Sequence, residues 1–182
     1  MSYSVKEIYL TIQGEGFHTG KHAVFCRFSG CNLWTGLEKD RKKAICNFCD
    51  TDFVGTDGIN GSKYPNAEQL ANEIDKVWDK DINEKFVVFT GGEPLLQLDK
   101  QLVDLLHKKK FKVAIETNGT ILPPENIDWI CVSPKQGADF NLKYGNELKL
   151  VYPQRGLEPK NFKHLDFDHF FLQPMDGKDL QR

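Results

Sequence analysis

Two hydrophobic periods alternate along the chain. Ile8, Leu10 and Ile12 alternate with Tyr9, Thr11 and Gln13, which predicts a strand with one apolar and one polar face. Short runs rich in β-branched and aromatic residues at 23–29, 86–90, 112–117, 129–133, 147–152 and 168–173 are further predicted strands. Between them the period lengthens. Leu70, Ile74, Val77 and Trp78 share one helical face, preceded by Asn66 and Gln69 in the arrangement of an N-terminal capping box. Leu98, Leu102, Leu105 and Leu106 form a second such face, with Asp99 near its start. Strand–helix–strand alternation predicts an α/β fold with a mainly parallel sheet.

Strands of a parallel α/β sheet are covered on both faces and read as apolar throughout. Here they are interrupted. Arg27 lies among Phe25 and Phe28, Glu116 follows Ile115, Glu147 and Lys149 alternate with Leu148 and Leu150, and Gln173 follows Leu172. Burying such groups without partners is costly. The simplest resolution is a polar face lining a ligand cavity inside a partial or full barrel. For Glu147 a solvent-facing strand end is an equally fair reading; for Arg27 it is weaker.

Composition narrows the class. The 182 residues suit one domain spanning 1–182, large enough to hold a core without disulfides. Lys and Arg total 24 against 26 Asp and Glu, so no basic excess points to nucleic acid or an anionic membrane. The longest strongly apolar runs, such as Phe86–Phe89, fall far short of the roughly 20 residues that cross a bilayer. With no apolar leader core near Met1, the expected location is the cytoplasm, where thiols stay reduced. Five cysteines are therefore not a disulfide frame.

Three of them form the strongest local signal, Cys31-x14-Cys46-x2-Cys49. Three thiolates on one loop can hold three irons of a four-iron cluster and leave the fourth iron open. A structural zinc site wants four ligands, and Cys26 would supply the fourth. Parity argues otherwise: Cys26 shares a face with Val24 and Phe28, opposite Arg27, and is expected in apolar packing, as is Cys131. Trp34, Leu37 and the mixed run Glu38–Lys43 fill the long inter-cysteine loop as a solvated excursion. The second signal is Thr90-Gly91-Gly92-Glu93-Pro94 at the end of a very apolar strand. Its glycines allow close backbone approach and Glu93 offers a carboxylate. The five histidines (His18, His22, His107, His164, His169) assemble no ligand motif.

The three-cysteine loop followed by Gly91-Gly92-Glu93-Pro94 resembles the radical S-adenosylmethionine superfamily. The superfamily's usual loop is C-x3-C-x2-C, but position 35 here is Thr35. The longer spacing resembles one form of the 7-carboxy-7-deazaguanine synthase family. Gln13-Gly14-Glu15-Gly16, Phe25–Trp34, Cys49–Gly58, Glu116–Gly119, Val132–Lys135, Gly145–Lys149 and Gln173–Asp176 agree. The resemblance runs from residue 5 to about 177.

This resemblance implies a reduced, incomplete β/α barrel, usually a homodimer. It implies a lyase of the queuosine and 7-deazapurine route that turns 6-carboxy-5,6,7,8-tetrahydropterin into 7-carboxy-7-deazaguanine and ammonia. An external one-electron reductant such as flavodoxin feeds a [4Fe-4S] cluster. S-Adenosylmethionine on the open iron is cleaved to a 5′-deoxyadenosyl radical, which takes a hydrogen from the substrate, so no side chain breaks the bond. Cys31, Cys46 and Cys49 would hold the cluster. Phe48, Cys49, Asp50, Gly92, Ser133, Pro134, Lys135, Gln173, Pro174, Met175 and Asp176 would line the S-adenosylmethionine pocket. Ile12, Gln13, Gly14, Arg27 and Thr90 would contact the pterin, and Thr51 would be a Mg²⁺ ligand. The resemblance also implies a helix and tail beyond Asp176 that help close the site, whereas the sequence ends at Arg182.

Two other readings stand beside it. A radical S-adenosylmethionine activase of a glycyl-radical protein shares the cluster and the turn, but gives no reason for Arg27 and Gln13 together. A zinc-stabilised binding module would use Cys26 with the three loop cysteines.

Overall fold

The computed structural model describes residues 1–175. Asp176, expected at the cofactor pocket, lies outside the described residues.

Eight strands form one sheet in the order β3-β1-β2-β4-β5-β6-β7-β8. They are β1 (Tyr3–Ile12), β2 (His22–Phe28), β3 (Ser62–Tyr64), β4 (Phe86–Gly91), β5 (Lys112–Thr117), β6 (Trp129–Val132), β7 (Tyr144–Tyr152) and β8 (Asp166–Pro174). From β2 through β8 each sheet neighbour is parallel to the last, while β1 runs antiparallel between β2 and β3. This is the α/β half-barrel expected from the alternation. Sequence reasoning missed β3: three residues carry too little periodicity to register.

The first predicted helix starts at its predicted cap, and Asp99, expected only near the start of the second, is the residue that caps it, leaving Leu98 outside the helix. Helix α1 spans Ala67–Val77, and Asn66 Oδ1 accepts the Gln69 N–H at 2.9 Å. Helix α2 spans Lys100–Lys108, and Asp99 Oδ1 accepts the Leu102 N–H at 2.9 Å. Both satisfy an N–H that a helix start would otherwise leave without a partner. Leu70, Ile74, Leu102 and Leu106 pack on the outer face of the sheet against Val24, Cys26, Phe28, Val87, Phe89, Val113 and Ile115. Leu98 joins this core from the turn before α2.

The helical half of the alternation stops there. Among the described residues, no α-helix follows β5, and the β7–β8 connection holds only a 3₁₀ turn at Pro159–Asn161. Loops close a second core in place of helices, with Leu142 and Phe162 against Val132, Leu148, Leu150 and Phe167.

β4 is buried from Phe86 through Thr90, as a strand covered on both faces must be. Register explains the polar interruptions. Arg27 pairs with Thr90, Glu116 with Cys131, Cys131 with Glu147, and Glu147 with His169. Side chains paired across parallel strands share a face, so these groups form a row on the inner face. Glu147 is therefore not a solvent-facing strand end: it is 3% exposed, because its parity points it inward.

Leu102→Ala is expected to destabilise the fold by about 2–5 kcal/mol through loss of burial and the cavity left behind. Asn66→Ala is expected to cost only about 1 kcal/mol, a lost cap. Urea titration of the two variants checks both the size and the order.

Candidate active site

A cavity of about 690 Å³ opens at the C-terminal ends of the parallel strands. Five of the six parallel strands deliver a side chain to it: Arg27 from β2, Thr90 from β4, Glu116 from β5, Lys149 from β7 and Gln173 from β8. From β1 come Tyr9, Thr11 and Ile12, with Gln13 and Gly14 just beyond. In β1 Ile8 and Leu10 pack outward on the core while Tyr9 and Thr11 line the cavity, as the alternation predicts, but Ile12, expected on the apolar face, ends the strand exposed and bordering the cavity.

One wall carries sulfur. Cys31, Cys46 and Cys49 all border the cavity, with Phe48, Asp50 and Thr51 beside them. The thiols are not equivalent. Burial pushes the Cys31 thiol up. Cys49 is drawn below the ordinary thiol range, because the Cys46 thiol and the Thr51 N–H donate to its sulfur. A donated hydrogen bond favours the charged form, the state that binds iron.

The long inter-cysteine loop is held by a residue that reads as surface charge in the sequence. Arg41 lies 4.1 Å over the Trp34 ring and donates to the carbonyls of Asn47, at 3.1 Å, and Cys49, at 2.9 Å. Trp34 is buried edge-on against Phe53. The stretch Glu38–Lys43 is a 3₁₀ helix with no buried residue, so the excursion is solvated, but its arginine clamps the backbone that carries Cys49.

Glycine is required at the end of β4. Gly91 has φ +132°, and a Cβ there would collide with the Phe28 carbonyl oxygen. Gly92 packs its backbone against Gly30 and Cys31, which seats the cysteine loop on the strand end. Glu93 departs from expectation. Its carboxylate does not face the cavity; it is fully buried and accepts from Leu95 N at 3.0 Å, Thr117 Oγ1 at 2.8 Å and Asn118 N at 2.8 Å. It ties β4 to β5, a structural duty that the motif alone did not reveal.

After β6, Ser133 and Lys135 turn into the cavity, and the Lys135 ammonium donates to the Ser133 carbonyl at 2.7 Å and hydroxyl at 2.6 Å. Burial lowers the Lys135 pKa. Pro134 does not line the cavity. It is buried in the irregular segment after β6, and its carbonyl accepts from Gln154 Nε2. Pro174 and Met175 are at the rim with Gln173.

The opposite wall is a network of charges. Arg27 Nε donates to Glu7 Oε1 at 2.8 Å and Nη2 to the Tyr9 hydroxyl at 3.3 Å. Gln13 Nε2 donates to Glu116 Oε1 at 2.9 Å. Lys149 Nζ lies 2.7 Å from Glu15 Oε2 and 3.4 Å from Glu116 Oε1. Burial works against the Lys149 charge, but Glu116 and Glu15 outweigh it and hold its pKa above the ordinary lysine value. Glu116 and Lys149, read from the sequence as part of a polar face lining a cavity but given no role there, do line it, whereas Glu7, Tyr9 and Glu15 were not among the predicted site residues. The signal for Glu116 and Lys149 was that both break apolar strands.

Cys26 is fully buried on the outer face, opposite Arg27, and desolvation drives its thiol pKa far up. It does not join the other three, so the four-thiol zinc reading loses its fourth ligand.

A parallel-strand half-barrel whose open end gathers three thiols around a cavity is the architecture of a radical S-adenosylmethionine enzyme. The model of the radical SAM superfamily matches residues 42–162. The chain is 60% identical over 177 residues to the 7-carboxy-7-deazaguanine synthase of Bordetella pertussis, covering 97% of this chain and 84% of that one. It is 57% identical over 180 residues to the enzyme of the same name from Bradyrhizobium diazoefficiens, covering 99% and 86%. The crystal structure of QueE from Escherichia coli superposes with a TM-score of 0.64 at 28% identity, covering 85% of this chain and 73% of that one. The chain belongs to the 7-carboxy-7-deazaguanine synthase family. A [4Fe-4S] cluster and S-adenosylmethionine are the cofactors of that class, and Cys31, Cys46 and Cys49, which all border the one cavity, are the residues that would hold the cluster.

Cys31→Ala, Cys46→Ala and Cys49→Ala are each expected to abolish the cluster, while Cys26→Ala retains it. Iron and sulfide analysis with visible absorption, after anaerobic reconstitution, distinguishes the four variants. A tightly bound zinc lost on Cys26→Ala would reverse the assignment.

Proposed function

We propose that the chain converts 6-carboxy-5,6,7,8-tetrahydropterin to 7-carboxy-7-deazaguanine and ammonia as a single domain. The observation that carries this reading is that one cavity is lined both by three thiols and by a set of paired charges. The family likeness supplies the reaction. When bound, the cluster and S-adenosylmethionine supply a radical able to take hydrogen from the substrate. The protein's part is to hold the two together and exclude water.

Cys31, Cys46 and Cys49 hold the cluster in this reading. Phe48, Asp50, Gly92, Ser133, Lys135, Gln173, Pro174 and Met175 form the S-adenosylmethionine half; Pro134 belongs to it only through the backbone that aims its neighbours. Ile12, Gln13, Gly14, Arg27 and Thr90 form the pterin half. Gln13, held by Glu116 and the Glu15 N–H, and Thr90 both border the cavity, where the second Gln13 amide hydrogen and the Thr90 hydroxyl would meet a pterin edge. Arg27 keeps one fork edge beyond its Glu7 bond for the substrate carboxylate. Glu116 and Lys149, on the same inner wall, extend this half.

Thr51 is assigned to Mg²⁺. Its hydroxyl borders the cavity and lies 3.4 Å from Asp50 Oδ1. A hydroxyl is a weak ligand, so the carboxylated substrate and water complete the six oxygens that Mg²⁺ prefers. Electrons are assigned to an external one-electron carrier such as a flavodoxin, and the working form to a homodimer in the cytoplasm, where five free thiols persist. No helix among the described residues is long and apolar enough to cross a membrane.

The direct test is anaerobic turnover of 6-carboxytetrahydropterin with S-adenosylmethionine and a reductant. Arg27→Ala is expected to lower kcat/KM by about 10- to 150-fold, the equivalent of a charge-assisted hydrogen bond of about 1.5–3 kcal/mol. Cluster content and reductive S-adenosylmethionine cleavage should survive. Arg27→Lys should recover only part, since an ammonium cannot fork across two oxygens. Wild type is expected to need added Mg²⁺ after chelation, and Thr51→Ala to lose that dependence. Equal turnover with and without Mg²⁺ in wild type would remove the metal.

A further inference from the structure

The chain between β1 and β2 forms a closed loop. Gln13 N donates to the Lys21 carbonyl and Gly20 N to the Gln13 carbonyl, both at 2.8 Å. Its near end carries Gln13, Gly14 and Glu15 into the cavity. Its far end plugs the floor of the half-barrel. There Phe17 stacks on His169, centroids 4.3 Å apart, and on Trp129 at 5.0 Å, while His18 meets Trp129 and Phe86 edge-on. The space left between plug and floor is about 10 Å³, room for no more than one water.

Under the crest of this loop lies a carboxylate that the reaction does not use. Glu147 does not border the main cavity. Its Oε2 accepts the Phe17 N–H at 3.2 Å, and its Oε1 faces the Cys131 Sγ at 3.6 Å. Gly16 sits on it with φ +68°, where a Cβ would collide with Oε1. The contact is therefore built from both sides: the strand supplies a buried acceptor, and the loop supplies a donor and a residue without a side chain. Two positions along β7, Lys149 reaches Glu15 in the same loop. The loop is thus pinned to one strand at two points, and only the Lys149 pin touches the cavity.

We propose that Glu147 is a positioning residue for the pterin half of the site. By fixing Phe17 and Gly16 it sets the height and angle at which Gln13 and Glu15 enter the cavity, without touching substrate or cofactor. This rests on the proposed pterin reaction for its catalytic readout. A carboxylate accepting an amide N–H below the plug gives the loop one seated position; removal frees the crest while the sulfur wall is untouched.

Glu147→Ala is expected to raise KM for the pterin by about 10- to 100-fold, the loss of a hydrogen bond to a charged group, with a smaller fall in kcat. KM for S-adenosylmethionine, cluster content and cleavage without pterin should stay at wild-type values. Glu147→Gln keeps an oxygen for Phe17 and should recover most of the pterin KM. Gly16→Ala should be costlier in wild type than in the Glu147→Ala background, because the colliding carboxylate is then gone. Amide exchange, measured without substrate, should speed up across residues 13–21 in Glu147→Ala and little elsewhere. This exchange result stands even if wild type fails to turn over the pterin, which would sink the reaction instead. An unchanged pterin KM, equal losses in the S-adenosylmethionine half, or unchanged exchange in the loop overturns the positioning role.

Discussion

The structure depends on one electrostatic constraint: charges placed inside a half-barrel must be neutralised there. Lys149 is 5% exposed, and an unpaired ammonium at that depth would be prohibitive. Glu116 meets it from β5 and Glu15 from the loop after β1, so the ion network joins the first, middle and late parts of the sheet. Gln13 hangs from Glu116, and Arg27 is steadied by Glu7 and Tyr9. The polar wall is thus cross-linked before any substrate arrives, which preorganises the directions in which its donors point.

The two faces of the sheet divide the labour. Outside, aliphatic and aromatic side chains from β1, β2, β4 and β5 meet α1 and α2 and supply the burial that stabilises the fold. Inside, an apolar layer of Ala23, Phe86, Val88 and Ala114 forms the floor, and the ionic layer lies above it. The floor is shut by the aromatic plug around Phe17, so the cavity has its opening at the strand C-termini. A closed floor leaves the strand C-termini as the side from which substrate and cofactor enter.

Between Cys31 and Cys46 the cysteine loop holds only the 3₁₀ helix Glu38–Lys43, which buries no side chain to fix it. Specific contacts do so instead. Trp34 is sandwiched by Phe53 and the Arg41 guanidinium, whose donors hold the backbone at Cys49, and Gly92 lets the loop settle on the end of β4. Glu93 then locks that strand end to the end of β5 through Thr117 Oγ1 and Asn118 N, and caps its own turn through Leu95 N.

The sequence by itself determined the strands with clear alternation, the first helix start, the three-thiol loop and the outward burial of Cys26. Each follows from a local period or a parity that does not depend on distant residues. It also flagged Arg27, Glu116 and Lys149, because charge in an apolar strand demands a partner. What it did not contain was the partner. Whether Glu147 met solvent or a loop 130 residues away, whether Glu93 faced a ligand or pinned two strands, and whether Arg41 was surface charge or a clamp depended on which segments the fold brought alongside. Pro134 was left out of the cavity lining for a similar reason, since the trace after β6 set which neighbours bordered it. Local periodicity encodes which face a side chain is on, but hydrogen bonds and ion pairs between remote segments exist only once the sheet has closed around them.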